Sequence, residues 1–384
     1  MSFVESDERR ALRAAVADLG AKYGSSYYVE KARSGQKTRE LWEEAGRLGY
    51  LGVNVPEQYG GGGGGIGDLA AVAEELAAAG CPLLLMVVSP AICATIIARS
   101  GTEDQRARWL PGFADGSVTM AFAITEPDAG SNTHRITTTA RRDGDGWVLT
   151  GQKTFISGVD EADAVMVVAR THDREGNLRP SLFIVPVDAP GFTRAPIAME
   201  FLSPEKQFTC HLDEVRLPYE ALVGDEDGGM LQLFAGLNPE RIMASAMGAG
   251  IGRLALERAT AYARDRQVFR TPIGAHQGLA HPLAAAKIEL ELARLMTQKA
   301  AWLYDQGDDM GAGEAANMAK YATAEAAVHC VDQAIQTHGG NGLTTEYGVG
   351  MLAGVVRLLR IAPVSREMIL NFVAQHSLGL PKSY

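Results

Sequence analysis

Cysteine is scarce in this sequence: four in 384 residues, at 81, 93, 210 and 330, with no Cys-x-x-Cys pair. That spacing argues against a disulfide frame or a cysteine-based zinc site and predicts buried thiols in a reducing compartment. The eight histidines show no His-Glu-x-x-His or similar spacing, so no metal site is expected. Positive charge is in deficit. Thirty-six Lys and Arg face 46 Asp and Glu, a formal charge of −10. This argues against nucleic acid or an anionic membrane as the main partner. Long apolar runs are also missing. The run at 81–97 holds two prolines and is short for a membrane span. The N-terminal residues lack the uninterrupted apolar stretch of a signal peptide, so a cytoplasmic location is expected.

What is present is ordinary globular chemistry: 46% hydrophobic and 21% charged residues, in a chain long enough for two or three domains. Residues 5–22 and 37–49 read as amphipathic helices, with Leu41, Ala45 and Leu48 on one face. A helix over 68–79, capped by Asp68 and stopped by Gly80, follows, then helices over 83–99 and, from Thr102, over 102–115. Beyond residue 117 the pattern changes to short β-rich runs at 118–125, 147–151, 162–170, 181–188 and 208–215, split by turn signals at 143–146, 190–191 and 203–204. Helical periodicity returns near 228, with breaks at 271–278, 306–313 and 339–342. The expected fold is α+β: a helical domain over 1–116, a mainly antiparallel β domain over 117–225 and a helical domain over 226–384.

Gly60, Gly62 and Gly65 satisfy G-x-G-x-x-G ahead of a helix. A dinucleotide loop also needs a preceding buried strand and an acidic residue roughly 20 positions on. The flanks here are helical and no acidic residue lies between 80 and 99, so a flexible surface turn is expected. Residues 122–133 (FAITEPDAGSNT) are more telling. A strand runs into a turn rich in Pro, Gly and hydroxyl residues, which exposes N–H groups and hydroxyls to a ligand. Thr125, Ser131 and Ser157 suit a ring edge or an amide, and Phe155 suits the face of a flat ring. An ordinary polar hairpin fits the same residues.

AFAITEPDAGSN at 121–132, followed by GWVLTGQKTFISG at 146–158, resembles the central domain of the acyl-CoA dehydrogenase family. So do YGG at 59–61, EEL at 74–76, GTEDQRARWLPGFADG at 101–116, YARDRQVFRTPIGAHQ at 262–277 and QTHGGNG at 336–342. The matches are collinear and span nearly the whole chain. The resemblance implies a homotetramer of α–β–α subunits with one FAD each, acting on acyl-CoA and passing electrons to an electron-transfer flavoprotein. It places Phe122, Ile124, Thr125, Ser131, Phe155 and Ser157 around the flavin ring. It places Arg266, Phe269, Gln277, Gln336, Gly339 and Gly340 on the dinucleotide part across a subunit interface. An arginine there neutralises pyrophosphate, and glycines allow close backbone approach; a surface salt bridge is the plainer role for Arg266. One departure is Arg270, where the family usually has glycine, and which offers an added phosphate contact.

Such chemistry needs a carboxylate at the substrate α-carbon and a hydride acceptor at the β-carbon. The family commonly draws its glutamate from a C-terminal Tyr-Glu-Gly-Thr segment, but this chain reads RIAPVSREM at 360–368, and Glu367 is expected on the following helix, pointing elsewhere. A minority, including the isovaleryl-CoA and long-chain enzymes, uses the helix matching Asn-Pro-Glu-Arg. That implies Glu240 as the base, with Arg241 orienting it or the substrate and Ser131 also contacting substrate. The plainer alternative makes Asn238 a helix cap, with Pro239 in the first turn and Glu240 merely favoured by the dipole. The resemblance instead runs one helix from about residue 229, which Pro239 would kink or interrupt. Residues 84–97 and 234–237 are expected to enclose the acyl tail, with Met86 and Ile92 limiting it to a short, branched or medium group. A flavin monooxygenase or oxidase, a non-catalytic acyl-CoA-binding homologue, and an acyl carrier protein in place of coenzyme A are the competing readings.

Overall fold

The computed structural model describes residues 5–172, 177–226 and 229–382. The residues expected to resemble no signal peptide lie partly outside these, as do the restart of helical periodicity at 228 and the outer ends of the first and third expected domains.

The helices of the two chain ends share one core. Val16, Leu41, Leu69 and Leu76 from the first part pack with Ile242, Met247, Leu290, Val331 and Leu359 from the last. Apolar faces at helical spacing create this core, and burial of such side chains contributes about 1.5–3 kcal/mol each. The first helix is longer than its periodicity predicts. It runs Asp7–Ser34, kinked at Gly24, and ends at Gly35 in the left-handed region. Ser6 caps it, and no proline interrupts it.

The next prediction needs correcting in detail. The helix is Ile66–Ala78, and Asp68 is its third residue, not its cap. Its carboxylate reaches back to the Gly65 N–H at 3.0 Å, while Asp305 accepts from the N–H groups of Ile66 and Gly67. Gly80 ends the segment as expected, at φ 94°. The glycine tract is not a flexible turn. Gly62, Gly63 and Gly64 donate to the carbonyls of Gly52, Val55 and Val53. A Cβ on Gly61 would lie 2.1 Å from the Val55 carbonyl oxygen, so the tract is glycine because two backbones touch. Helix Glu103–Asp115 starts at Thr102 with the reciprocal Thr102/Gln105 cap.

The central sheet contains β1 (Met120–Ala123), β2 (Thr139–Asp143), β3 (Gly146–Ser157), β4 (Ala164–His172), β5 (Leu178–Pro186), β6 (Phe192–Ile197), β7 (Gln207–Pro218) and β8 (Leu222–Val223). Its order is β6-β7-β3-β2-β4-β5-β8, with β1 beside β4. β1 and β2 run parallel to β4; the other pairs are antiparallel. A second apolar cluster joins the sheet to the helical part through Ile92, Ile96, Leu110, Phe122, Met166 and Leu233.

The long helix Gly229–Asp265 passes through Pro239 without a break. Neither an interruption nor a helix start at Asn238 is seen; Asn238 instead donates from Nδ2 to the Asp309 carbonyl. Helix Gln277–Asp305 packs antiparallel against it, its Tyr304 end beside Ala235, and Asp309–His338 runs parallel to it, with Asp309 beside Asn238 and His338 beside Tyr262. Asp308 caps the latter, so the expected break at 306–313 is shorter. Helices Leu352–Ile361 and Arg366–Phe372 follow, the second continuing into a π-helical turn at Val373–Ser377.

Candidate active site

Proline has no N–H to give the carbonyl four residues back. Pro239 therefore leaves the Ala235 carbonyl unpaired within its helix. The Tyr304 hydroxyl donates to that oxygen at 2.7 Å, and Tyr304 is itself buried. A neighbouring helix thus repairs the gap one turn before Glu240. Sequence reading missed Tyr304; a proline expected within a helix was the signal that some outside donor was needed.

Glu240 is surrounded by protein yet keeps part of its surface accessible. Burial raises its carboxyl to about 7, against the opposing pull of Arg241 and Lys320. The contest between desolvation and charge is won by desolvation. Arg241, 8% exposed, donates from Nη1 to the Leu237 carbonyl, and its buried Nε has no hydrogen-bond partner. Among the described residues no carboxylate lies within 4.0 Å of it. A buried guanidinium N–H without a partner is costly unless a ligand atom takes it.

Lys320 is also buried, and burial together with Arg241 lowers its ammonium to about 8. Its Nζ donates to the Val364 carbonyl. This holds the 362–365 segment near the cluster, and that segment, Ala-Pro-Val-Ser, carries no carboxylate. Glu367 lies on the Arg366–Phe372 helix, 3.3 Å from Arg366 and 70% exposed. Beyond Glu240 the helix closes on its neighbour. A Cβ on Gly236 would lie 2.7 Å from Ile96 Cδ1 and 2.9 Å from Ile92 Cγ2. Met86, Ile92 and Ile96 are fully buried, and Val87–Ala94 is a π-helical stretch containing Pro90.

The polar turn after β1 is fixed from below. Lys153 and Glu126 form a buried pair at 2.9 Å. Lys153 also donates to the Ile124 carbonyl at 3.0 Å. Glu126 accepts from the Thr137 N–H and hydroxyl and from the Thr138 N–H. Burial pushes the Glu126 carboxyl up, but the hydrogen bonds from Thr138 and Lys153 hold it at about 2, while burial lowers Lys153 to about 8. Both remain charged at neutral pH. Neither residue was singled out from sequence, because a buried ion pair has no local pattern.

Above this clamp, the Thr154 N–H donates to the Thr125 carbonyl at 2.9 Å, tying β3 to the turn. β3 takes one extra residue between Lys153 and Ile156 relative to β7. In that bulge Phe155 sits at φ 56° and is 57% exposed. Ser157 donates to Gln207 at 3.0 Å and is half-buried, as are Ile124 and Thr125; Phe122 is buried and Ser131 exposed. Phe122, Ile124, Thr125, Phe155 and Ser157 therefore gather at one end of β1 and β3.

The second expected group lies on the helical part. Residues Gln267–Val268 and Thr271–Pro272 form a hairpin whose two central residues, Phe269 and Arg270, have φ 53° and 69°. Arg266, Phe269 and Gln277 are all exposed. Among the described residues Arg266 has no carboxylate within 4.0 Å, which sets aside a surface salt bridge. Tyr262 joins this hairpin's base to the other expected residues. Its ring stacks on His338 at 4.4 Å, and its hydroxyl accepts from Asn341 at 3.1 Å. Gln336, Gly339 and Gly340 beside it are exposed, and a Cβ on either glycine would meet nothing within 4 Å. Within the chain the two groups sit on different parts of the fold.

Tyr304→Phe removes the donor for the Ala235 carbonyl and is expected to lower unfolding free energy by about 1–2 kcal/mol. A urea titration against the unaltered chain measures this. An unchanged midpoint would mean that the Pro239 gap is filled otherwise.

Known proteins resemble this chain in sequence and fold. The family description "Acyl-CoA dehydrogenase, N-terminal domain" matches residues 6–117, "middle domain" matches 121–209 and "C-terminal domain" matches 227–378. The chain is 67% identical over 384 residues to acyl-CoA dehydrogenase FadE12 of Mycobacterium tuberculosis, covering 100% of this chain and 99% of that protein. Among solved structures, a glutaryl-coenzyme A dehydrogenase in complex with glutaryl-CoA aligns at a TM-score of 0.94 and 29% identity, covering 100% of this chain and 98% of that one. The glutaryl-CoA dehydrogenase of Mycobacterium smegmatis, in complex with FADH2, aligns at 0.90 and 28%, covering 99% and 96%. With three family regions matched in order and a relative alike from end to end, this chain belongs to the acyl-CoA dehydrogenase family.

Proposed function

We propose that this chain is an FAD-dependent acyl-CoA dehydrogenase that converts a saturated acyl thioester to the trans-2-enoyl thioester, with Glu240 as the base. The observation that carries this reading is Glu240 itself: an accessible carboxylate in protein-dense surroundings, beside a buried arginine N–H without a partner.

The residues present suit FAD. Hydroxyls of Thr125, Ser131 and Ser157 and the outward ring of Phe155, with Phe122 and Ile124 behind them, provide a polar edge and an apolar face for a ring system. Arg266, Phe269 and Gln277 provide a free cation, an aromatic and an amide for the nucleotide half. Gly339 and Gly340, next to Gln336, leave room for backbone approach. When bound, FAD supplies the hydride acceptor for the substrate β-carbon.

The chain's own residues handle the proton. An ordinary carboxylate is a weak base for an α-proton, and desolvation strengthens it. Glu240, its carboxyl raised to about 7 by burial, takes the α-proton onto its carboxylate. Arg241 and Lys320 keep enough positive charge nearby to preserve the ionised form, and we assign Arg241 and Ser131 to substrate contact. The Gly236–Ile92–Ile96 closure and Met86 limit the acyl group to a short, branched or medium chain. Coenzyme A as carrier, an electron-transfer flavoprotein as acceptor and a cytoplasmic location are the assignments the family resemblance implies. We divide the chain at 116/117 and 225/226.

We also propose a homotetramer. Ile288, Leu292, Leu295 and Trp302 are exposed along helix Gln277–Asp305, at a spacing that puts them on one side. Nearby, an apolar groove of about 750 Å³ is lined by Leu256, Ala263, Leu279, Leu283 and Leu290. Sedimentation equilibrium is expected to give four chains per particle; a monomer would contradict it.

Anaerobic titration of the yellow holoenzyme with a panel of acyl-CoAs tests the reaction. Bleaching of the visible flavin band, with enoyl product, is expected for short, branched or medium members. Glu240→Gln should lose bleaching by at least a thousandfold in rate, as expected for loss of the essential base, while keeping its flavin. In the unaltered enzyme the bleaching rate should rise with pH about a midpoint near 7, because the ionised form is the active one. Binding without bleaching by every member would favour a non-catalytic homologue. Rapid oxygen consumption by the reduced enzyme would favour an oxidase or monooxygenase.

A further inference from the structure

The Gln267–Pro272 hairpin carries two residues that a turn of this shape disfavours. Val268 pairs with Thr271, so Phe269 and Arg270 are its two central positions, and both have positive φ. Two-residue turns of this hand normally take Asn-Gly or Gly-Gly, because a side chain there crowds its own backbone. Glycine at 270 would remove the crowding. Arginine stands there instead, so the side chain must supply something the fold does not need.

What it supplies is free charge. Arg270 and Arg266 are exposed, and among the described residues neither has a carboxylate within 4.0 Å. Residues 264–270 hold three arginines and one aspartate, in a chain of formal charge −10. Phe269, between the two cations, is 90% exposed. The hairpin's base is held firmly: Arg266 N–H donates to the Tyr262 carbonyl at 2.9 Å, and Ile273 N–H to the Arg266 carbonyl at 2.8 Å. Two unpaired guanidiniums flanking a bare aromatic ring on a rigid base form a donor set for a phosphorylated aromatic ligand.

We infer that Arg270 is a second phosphate-binding residue, joining Arg266 on the pyrophosphate of FAD at this hairpin. The inference rests on the FAD reading above and adds to it a residue that departs from the usual glycine. It also accounts for the strained turn: conformational ease is given up for a contact made only when the dinucleotide is bound.

The test compares flavin release from intact holoenzyme, the unaltered chain against Arg270→Gly and Arg270→Lys, by the rise of flavin fluorescence after dilution. Arg270→Gly is expected to release flavin about tenfold faster at low salt, with a weaker dependence of release on ionic strength, because one ion pair is missing. Arg270→Lys, which keeps the charge, should recover much of the difference. Heat denaturation of the flavin-free protein gives the opposite sign: Arg270→Gly should raise its midpoint, because the turn relaxes. Release at the unaltered rate would overturn the inference. So would faster release by the same factor at every salt concentration, the mark of a purely structural change. A shift in assembly state with unchanged flavin retention would assign Arg270 to a protein contact and overturn it too. Protein that purifies without FAD and takes up none would refute the broader FAD reading, a result distinct from these.

Discussion

Keeping one carboxylate away from bulk water is the constraint on which this site depends. Glu240 lies on the longest helix, directly after a proline that removes a hydrogen bond from it. Tyr304 replaces that bond from another helix, and Arg241 and Lys320 stand close enough to temper the cost of burial. Remove the surrounding density and the group becomes an ordinary carboxylate. Strengthen the cations and it becomes a weaker base. The position near neutrality results from opposing terms, with burial the larger.

The ligand-facing turn of the sheet solves the reverse problem. Residues 125–138 must offer polar groups outward without collapsing onto the sheet. The buried Lys153–Glu126 pair anchors them, and both carboxylate oxygens of Glu126 accept from the turn's Thr137 and Thr138, with Lys153 sharing one of them. Desolvating two charges is expensive unless such bonds accompany the pair. Here they do, and the bulge above it turns Phe155 outward. The two sites are thus built alike: strained or charged groups tied down by contacts from a second element.

Much of this was legible in the sequence. The order of helices, sheet and helices followed from the change of period near residue 117, and the family motifs followed from collinear strings. β2 and β6 went unread because their sequences, TARRD and FTRAPI, carry little alternation; each buries a single residue, Ala140 or Phe192, and β6 is an edge strand. Asp68 was mistaken for a cap because a residue reaching back from the third position leaves the same local signal as the cap itself. The contacts that hold the glycine tract, with the backbone at 52–55, leave no sequence pattern, so the tract reads as a free turn. Pro239 does lie within a helix but does not interrupt it, and its repair by Tyr304 joins residues far apart in the chain. The fate of Glu240's acidity was likewise invisible, since it depends on how densely other elements pack around it.

The central claim is that Glu240 removes the α-proton, and proton removal can be separated from hydride transfer. A 3-thia acyl-CoA has sulfur in place of the β-carbon, so its α-proton can leave but no hydride can follow. Mixed with oxidised holoenzyme, it should give a long-wavelength charge-transfer absorption from the enolate against the flavin. That band should grow as pH rises through about 7 and be absent in Glu240→Gln, although the variant still binds the ligand. A band of equal strength in the variant would contradict the account and place the base elsewhere.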